Sequence, residues 1–337
     1  MTEAPEKPMT EAPEIGKEYL QPKEEQNIAD MIATILQHLK KTYPPGQSLR
    51  QFHPKMHGFL TADVKVDPNL PANMRHGFLQ PGQTYNAWIR FSNANTRVSD
   101  DHKADLRGMA IKILDVPGQM LEPDEQMPHA QDILLVSYPT LMSPDVASFK
   151  KNIRAICGGF GSMLWFALNP VNWPALIRTL QSMKKTKNLF SLQYFSVSPS
   201  RLGTPDQAVK YSAIPVSQPT IVEQPPKSPD YLRDNMQQEL DLRPFIFHFL
   251  VQFQEDAVTM PIENPCVEWK SKWHKVAEIT IPVQLFNTAE RNQAGEQASF
   301  SPWHSLPEHR PLGGISRARR KIYAAISAFR LQNNQNL

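Results

Sequence analysis

The chain of 337 residues is poor in cysteine, with only Cys157 and Cys266. Two thiols supply neither a disulfide framework nor the ligand spacing of a zinc site, so both are expected to be small buried side chains. The chain also lacks a strong excess of either charge: 36 Lys and Arg are nearly balanced by 33 Asp and Glu, which gives a formal net charge of +3. The cations are dispersed along the chain, which argues against nucleic acid as a partner.

Targeting and nucleotide-binding signals are missing as well. The chain starts with an acidic, proline-bearing segment rather than a basic and then apolar one, which predicts a cytoplasmic protein. Gly158, Gly159 and Gly161 match neither the Walker nor the dinucleotide-binding spacing. The longest apolar stretch is interrupted by Asn169-Pro170 and Trp173-Pro174, and it is too short and broken to span a membrane.

Proline, in contrast, is abundant at 31 residues and separates the apolar runs. Residues 1–23 repeat one hexapeptide, at 1–6 and again at 9–14, and are rich in Glu and Pro. Such a segment buries too little apolar surface to offset its ordering entropy, so we predict a disordered tail. Residues 24–337 are predicted to form a single domain around one large core.

The spacing of apolar residues predicts the elements of this domain. Helical spacing predicts an amphipathic helix from Glu24 to Tyr43. Alternating apolar residues, strictest from Phe245 to Phe253, predict strands with one buried face. Seven strands are predicted at about 59–66, 85–91, 108–114, 132–137, 208–214, 244–253 and 276–286. Together they predict an α+β fold, a closed antiparallel β-barrel with a helical insert at about 145–190 and flanking helices.

The helical insert has two interpretations. Its apolar run contains tryptophans and ends in Lys184, Lys185 and Lys187, a composition typical of helices at a bilayer interface. Peripheral membrane contact through residues 159–187 is therefore one interpretation. The other is that the insert packs on the barrel or lines a substrate entrance.

Tyr323 lies on a short basic helix near the C-terminus. Arg319 precedes it by four residues and Arg330 follows it by seven, so all three share one helical face. A guanidinium favours the phenolate form of a nearby tyrosine, and a phenolate is a known ligand of haem iron. Arg330 suits bidentate contact with a haem propionate. On this helix alone, a basic surface helix with an inward tyrosine is the simpler interpretation.

Three further motifs precede this helix in the sequence. They are Arg50-Gln51-Phe52-His53, Arg90-Phe91-Ser92 and Arg107-Gly108-Met109-Ala110-Ile111-Lys112. With the tyrosine helix, they resemble the haem catalase superfamily, which includes catalase-like peroxidases and the allene oxide synthase branch. That family carries R-x-x-H, R-F-S and R-G-x-A-x-K elements and a C-terminal R-x-x-x-Y-x-x-x-x-x-x-R helix in this order. The resemblance covers roughly residues 45–145 and 315–331.

The resemblance implies haem b as the cofactor. Tyr323 is then expected to be the iron ligand and Arg319 the cation that keeps it ionised. Arg50, Arg90 and Arg330 correspond to the arginines that face the haem propionates. Chemistry agrees with this expectation, because buried carboxylates require compensating cations.

The resemblance also implies that His53 is the distal base and that Ser92 fixes its ring orientation. His57 lies one turn away and competes for the first role, but only His53 keeps the three-residue offset from Arg50.

The expected distal pocket departs from the family pattern. The asparagine that polarises peroxide aligns with His129, which we take as a catalytic candidate, and Gln131 offers a similar amide. Leu134 replaces a strand phenylalanine, and Met142 replaces the aromatic that covers the haem face. Phe52 stands where a valine is usual, so the pocket is bulkier and more apolar than hydrogen peroxide requires.

The implied function is that of a haem-dependent, peroxide-metabolising enzyme. We expect a catalase-like peroxidase that acts on hydrogen peroxide or on organic and lipid hydroperoxides through a ferryl intermediate. The alternatives are a fatty acid hydroperoxide isomerase or dehydratase of the allene oxide synthase type and a haem-binding protein without turnover. Only 14 residues follow Tyr323, so the helical extension of typical catalases and its nicotinamide site are not expected. We expect a homo-oligomer, a dimer.

Overall fold

The protein is described by a computed structural model that covers residues 12–223 and 228–335. The helices are α1 (Glu24–Thr42), α2 (Val146–Cys157), α3 (Gly159–Leu168), α4 (Trp173–Ser182), α5 (Tyr231–Leu242), α6 (Ala289–Gln297) and α7 (Gly314–Gln335). The strands are β1 (Met56–Val66), β2 (Thr84–Asn93), β3 (Arg107–Ile113), β4 (Gln131–Val136), β5 (Tyr194–Phe195), β6 (Ser200–Leu202), β7 (Thr204–Pro215), β8 (Phe245–Phe253) and β9 (Trp273–Ile281). Short 3₁₀ turns occur at Ala72–Met74, Pro170–Asn172, Leu189–Ser191 and Pro307–His309. Within the two described ranges, no helix combines the length and the apolar character needed to cross a membrane.

Eight strands form a closed antiparallel barrel. Their order is β5-β4-β3-β2-β1-β9-β8-β7, and β5 closes the ring by pairing with β7. The ninth strand, β6, pairs with the N-terminal half of β7, and β5 pairs with the C-terminal half. Closure leaves these strands without a free hydrogen-bonding edge. The predicted α+β barrel is confirmed, with the helical insert between β4 and β5.

Alternation along the strands fills the barrel interior with apolar side chains. On β8, Phe245, Phe247, Phe249 and Val251 are all buried and belong to the main core cluster. Each such side chain contributes about 2 to 3 kcal/mol by leaving water. Aromatic pairs add to this packing, such as Phe190 stacked on Phe245 with ring centroids 4.6 Å apart.

A second apolar core fixes the C-terminal helix against the barrel. It joins α1, α2 and α7 through buried side chains that include Ile35, Ile153 and Ile322. This packing against α1 and α2 positions α7 beside the barrel.

The observed elements differ from the predicted ones in several respects. The last predicted strand ends at Ile281 rather than at residue 286, because Pro282 has no amide hydrogen for the sheet. Residues 12–23, predicted as part of a disordered tail, instead pack on the domain: Glu18 binds Arg310 and Arg317, and the Gly16 amide donates to Gln254. The predicted tail at residues 1–11 lies outside the described residues. Helices α5 and α6 and the short strands β5 and β6 were not predicted.

Candidate active site

His53 lies in the loop before β1, and its ring rests on β3. Its Nδ1 is 2.9 Å from the hydroxyl of Ser92, near the end of β2. A Cβ added to Gly108 would lie 2.6 Å from this Nδ1 and 2.8 Å from the Ser92 oxygen, so only glycine leaves room for the pair. The backbone of His53 is left-handed, with φ of 60°, a conformation that costs a non-glycine residue about 1 to 2 kcal/mol. The fold thus holds the ring in one place at a local energetic cost.

The surroundings of His53 keep its imidazole neutral. Burial, followed by the positive charges of Arg90, Arg319 and Arg50, lowers the pKa of His53 to about 3. The residue keeps partial solvent access, which weakens the shift without changing its direction. When Nδ1 donates its hydrogen to Ser92, the Nε2 lone pair is available as a proton acceptor.

His57, the competing histidine, belongs to the barrel interior. It is fully buried, and its Nε2 is 2.6 Å from the Asn93 side-chain oxygen. Its Nδ1 is 3.7 Å from the Asp101 carboxylate. His57 therefore participates in a buried polar network, whereas His53 lies beside the arginines.

Three arginines from distant parts of the chain converge on the end of α6. We call Arg50, Arg90 and Arg330 the arginine cluster; they come from the loop after α1, from β2 and from α7. Arg50 Nη1 is 3.1 Å and Arg90 Nη2 is 3.4 Å from the carboxylate of Glu296. Arg330 donates to the backbone carbonyl of Glu296 over 3.1 Å. Arg50 also donates to the carbonyls of Gly295 and Ala298.

Positive charge exceeds negative charge in this cluster. Burial, and then repulsion from Arg90 and Arg330, lowers the pKa of Arg50 well below its usual range. Burial likewise lowers the pKa of Arg90 and that of Arg330. Among the described residues, Glu296 is the carboxylate that binds the cluster, which leaves about two positive charges uncompensated. The buried Nε of Arg90 has no hydrogen-bond partner, so the cluster retains capacity for an added anion.

Tyr323 and Arg319 meet on α7 as their four-residue spacing predicts. Arg319 Nη2 is 3.2 Å from the phenolic oxygen, and the guanidinium carbon is 5.3 Å from the ring centroid. Both side chains are partly buried. The charge of Arg319 also acts on His53. The tyrosine–arginine pair and the histidine–serine pair therefore border one region, between α7 and the barrel.

His129 does not join this region. It is exposed, two residues before β4, and its carbonyl accepts from the Val116 amide. Gly108, which contacts His53, pairs with Val136 at the other end of β4, seven residues from His129. The structure therefore places His129 beyond the end of β4 that lies away from His53, and its catalytic role stays a prediction.

Gln131 offers no free amide in its place. It is buried, its Nε2 donates to Ser305 over 3.1 Å, and its Oε1 accepts from the Leu306 amide over 2.9 Å. Both ends of this side chain bind the loop that precedes α7.

The apolar replacements lie around α7. Leu134 lines a cavity together with Ser316 and Arg319. Phe52 packs against the cluster of α1, α2 and α7. Met142 is partly buried in the loop after β4, and its predicted contact with the cofactor stays a prediction.

Glu296 was missed by sequence reasoning. Helix α6 is polar and has no apolar stripe, and Glu296 is 246 residues away from Arg50 in the chain. No local pattern connects the two, so only the fold could reveal this contact.

Among known proteins, similarity to this chain is found at the level of three-dimensional structure and not of sequence. No protein-family model matches the chain, and no curated protein matches it either. The structure is similar to the crystal structure of a fungal catalase, with a TM-score of 0.67 and 15% sequence identity over 98% of this chain and 68% of that one. It is also similar to catalase A from Saccharomyces cerevisiae, with a TM-score of 0.67 and 17% identity over 98% of this chain and 70% of that one. The chain therefore has a catalase-like fold.

Proposed function

We propose that this protein is a haem-dependent peroxidase that acts on hydrogen peroxide and on organic hydroperoxides. One observation carries the proposal: the fold brings His53 with Ser92, Tyr323 with Arg319, and the arginine cluster to one region. These groups come from separate parts of a chain of catalase-like fold.

The residues fit haem b by charge and by donor type. The arginine cluster has about two uncompensated positive charges, which match the two propionates of a haem. The unpaired Nε of Arg90 supplies a further donor. Tyr323 offers a phenolic oxygen beside a guanidinium, the ligand type that ferric iron accepts in haem proteins.

Each side chain then has a defined task. When bound, haem iron supplies the chemistry that cleaves the peroxide O–O bond. Tyr323 would hold the iron through its phenolic oxygen, to which Arg319 donates a hydrogen bond. His53 Nε2 accepts the proton of an entering hydroperoxide and returns it to the departing oxygen. Ser92 keeps the ring of His53 in the orientation and tautomer that this exchange needs.

Apolar side chains near α7 favour organic hydroperoxides over hydrogen peroxide alone. Phe52 and Leu134 provide apolar surface beside the site, which suits an alkyl chain. The same observation supports a second candidate function, isomerisation or dehydration of a fatty acid hydroperoxide without an external reductant. The two functions differ in whether an electron donor is consumed.

The first experiment tests the ligand assignment. We expect purified protein titrated with haem b to give a ferric haem absorption spectrum that Tyr323→Phe changes and weakens. Tyr43→Phe is the matched control, because Tyr43 is also partly buried and packs on the same helical core. Absence of a haem spectrum, or identical spectra for Tyr323→Phe and the parent, would remove the basis of the proposal.

The second experiment separates the functions. We expect His53→Ala to bind haem normally and to consume hydroperoxide about 100 to 10,000 times more slowly, the usual contribution of a positioned general base. Unchanged turnover in His53→Ala, or no turnover in the parent, would instead indicate a haem-binding protein without this activity. Rearranged fatty acid products formed without a donor would favour the isomerase or dehydratase.

A further inference from the structure

Helices α3 and α4 leave their apolar side chains in solvent. None of the ten residues of α3 is buried. The relative exposure reaches 85% for Phe160, 76% for Trp165 and 72% for Leu180. Further large apolar side chains are exposed nearby, namely Met163, Leu164, Leu168, Val171, Trp173 and Ile177. All nine lie within residues 160–180, whereas exposed apolar residues without a function are usually scattered.

The neighbouring helix shows that this exposure is not a general property of the insert. Helix α2 has an apolar face, and it buries Val146 and Ile153 against α1 and α7. Helix α3 continues from it after Gly158 but is apolar on all sides. A helix without a polar face is normally surrounded by a protein core or by lipid. Residues 12–223 and 228–335 supply no such core around α3, which favours an apolar environment from outside the described chain.

Charge around these helices is of one sign. Residues 146–205 contain no Asp or Glu. The segment carries eight cations, Lys150, Lys151, Arg154, Arg178, Lys184, Lys185, Lys187 and Arg201. Since the whole chain has a formal charge of +3, the residues outside this segment have a net charge of −5. The apolar helices therefore belong to a cationic part of an otherwise anionic protein.

We propose that this surface docks on an anionic lipid membrane. The insert surface comprises the exposed apolar residues of 160–180 together with Lys184, Lys185 and Lys187, which are also exposed. Apolar side chains with tryptophans enter the boundary between headgroups and acyl chains, and cations beside them bind anionic headgroups. Helices of ten residues are about 15 Å long, half the thickness of a bilayer core, so α3 and α4 lie in the plane of the interface.

Charge favours lipid over a second copy of the chain as the occupant. A two-fold dimer through the insert surface would place this patch against itself. Its lysines would then face lysines, because the segment has no carboxylate to pair with them. An anionic membrane compensates the same charges and accepts the apolar side chains at once. The proposal requires no bound haem, so it stands or falls separately from the proposed peroxidase function.

The test measures binding of the purified full-length protein to vesicles by flotation. Vesicles of phosphatidylcholine alone are compared with vesicles that also contain phosphatidylglycerol. The apolar variant carries three substitutions, Phe160→Ser, Trp165→Ser and Leu168→Ser. Its matched control replaces three apolar residues that are 67 to 69% exposed elsewhere, Leu242→Ser, Val258→Ser and Leu285→Ser. The charge variant carries Lys184→Gln, Lys185→Gln and Lys187→Gln.

We expect the parent protein to bind the anionic vesicles. The affinity of the apolar variant for these vesicles should be at least about tenfold lower, and that of its control should be unchanged. The charge variant should lose about fivefold in affinity for each lysine removed, the effect of about 1 kcal/mol per cation at an anionic surface. No binding to either vesicle, or equal binding by the apolar variant and its control, would overturn the proposal. So would a dimer in light scattering that the apolar variant dissociates while vesicles bind neither protein.

Discussion

The arginine cluster buries charge with too little counter-charge, whereas the insert surface exposes apolar side chains with no cover. At the first, two of three largely buried guanidinium groups bind the one carboxylate of Glu296, and the third binds its backbone carbonyl. At the second, nine large apolar side chains face water within 21 residues. Both arrangements oppose the usual distribution, in which charge is outside and apolar surface inside.

The two regions suit different kinds of ligand. The arginine cluster is small, largely buried and cationic, so it suits a compact anion that is held by hydrogen bonds. The insert surface is extended and apolar with a cationic border, so it suits a lipid surface rather than a single small molecule. A compact dianion that binds the arginine cluster would not cover the insert surface, because it has no apolar area to place against α3.

The largest expected effect comes from protonating two buried histidines outside the arginine cluster, which would place further positive charge away from water. Burial lowers the pKa of His57 and of His309 to about 3, below the value of about 6.5 in the unfolded chain. As pH falls below about 6.5, the unfolded state takes up these protons first, so stability is lost with acid. Two histidines give a slope of about 3 kcal/mol per pH unit in the unfolding free energy, with a smaller addition from His53. Urea unfolding at several pH values measures it.

His57→Gln is the control for this pH dependence. In this variant, the slope of the unfolding free energy against pH should be about half that of the parent protein. The comparison is best made between about pH 6.5 and 5, because burial raises the carboxyl pKa of Asp101 and of Asp105 and these groups act in the opposite direction below that range. An unfolding free energy that is flat over this interval would show that the histidines are not buried as described.

The next effect distinguishes uncompensated cations from compensated ones. Arg90→Gln should change the stability of the haem-free protein by less than about 1 kcal/mol, because repulsion between cations falls as one bond is lost. The same change should weaken haem b binding about 10 to 100-fold, as expected for a lost charged hydrogen bond. Fluorescence-quenching titration with haem b measures the second quantity.

Arg317→Gln is the counterpart for this test. Arg317 binds three carboxylates, those of Glu18, Glu24 and Glu263. Burial lowers the pKa of Arg317, but the contacts with Glu24 and Glu263 outweigh it and raise the pKa. Its loss should lower the unfolding free energy by about 3 kcal/mol and leave haem affinity unchanged. If both variants behaved alike, the arginine cluster would be an ordinary structural network.

A smaller effect concerns the counter-charge itself. Glu296→Gln keeps an oxygen acceptor for Arg50 and Arg90 but removes the negative charge. The haem-free protein should lose about 1 kcal/mol of stability, because the cations repel one another more strongly. Haem affinity should rise severalfold for the same reason. A fall in affinity would mean that Glu296 positions the arginines rather than competing with the propionates.

The smallest effect belongs to the exposed half. Leu168→Ser should change the unfolding free energy in vesicle-free buffer by less than about 0.5 kcal/mol, because its side chain is exposed in the folded protein. Ile153→Ala, at a fully buried position of α2, should cost about 2 to 4 kcal/mol. Equal losses for the two variants in thermal unfolding would mean that α3 is covered in the folded state.

Elements with strong periodicity were predictable from the sequence. The alternation from Phe245 to Phe253 gave β8 almost residue by residue, and helical spacing gave α1 to within one residue. The two strands that were missed, β5 and β6, have two and three residues, too few for any period to show. Their conformation depends on tertiary pairing with β7.

Proximity of candidate site residues was predictable where a fixed spacing joined them. Arg319 and Tyr323, four residues apart, are in contact, and the charge of Arg50 acts on His53 three residues later, while the roles of these residues stay predictions. His129 lies apart from His53, because a turn and the length of β4 separate it from Val136, the partner of Gly108. The order of residues 12–23 was missed since their contacts, such as Glu18 with Arg317, reach across nearly the whole chain.

The short strand β5 has a consequence for the kinetics of opening and closing. Barrel closure depends on Tyr194 and Phe195, which pair with Val136 on one side and with Ala213 and Ser212 on the other. The whole helical insert lies between β4 and β5, so this closure must bring together residues nearly 60 positions apart. Contacts that close so long a loop form late in folding and open first. The amides of β5 should therefore exchange with solvent sooner than those of β8, and a membrane that holds the insert would slow that exchange.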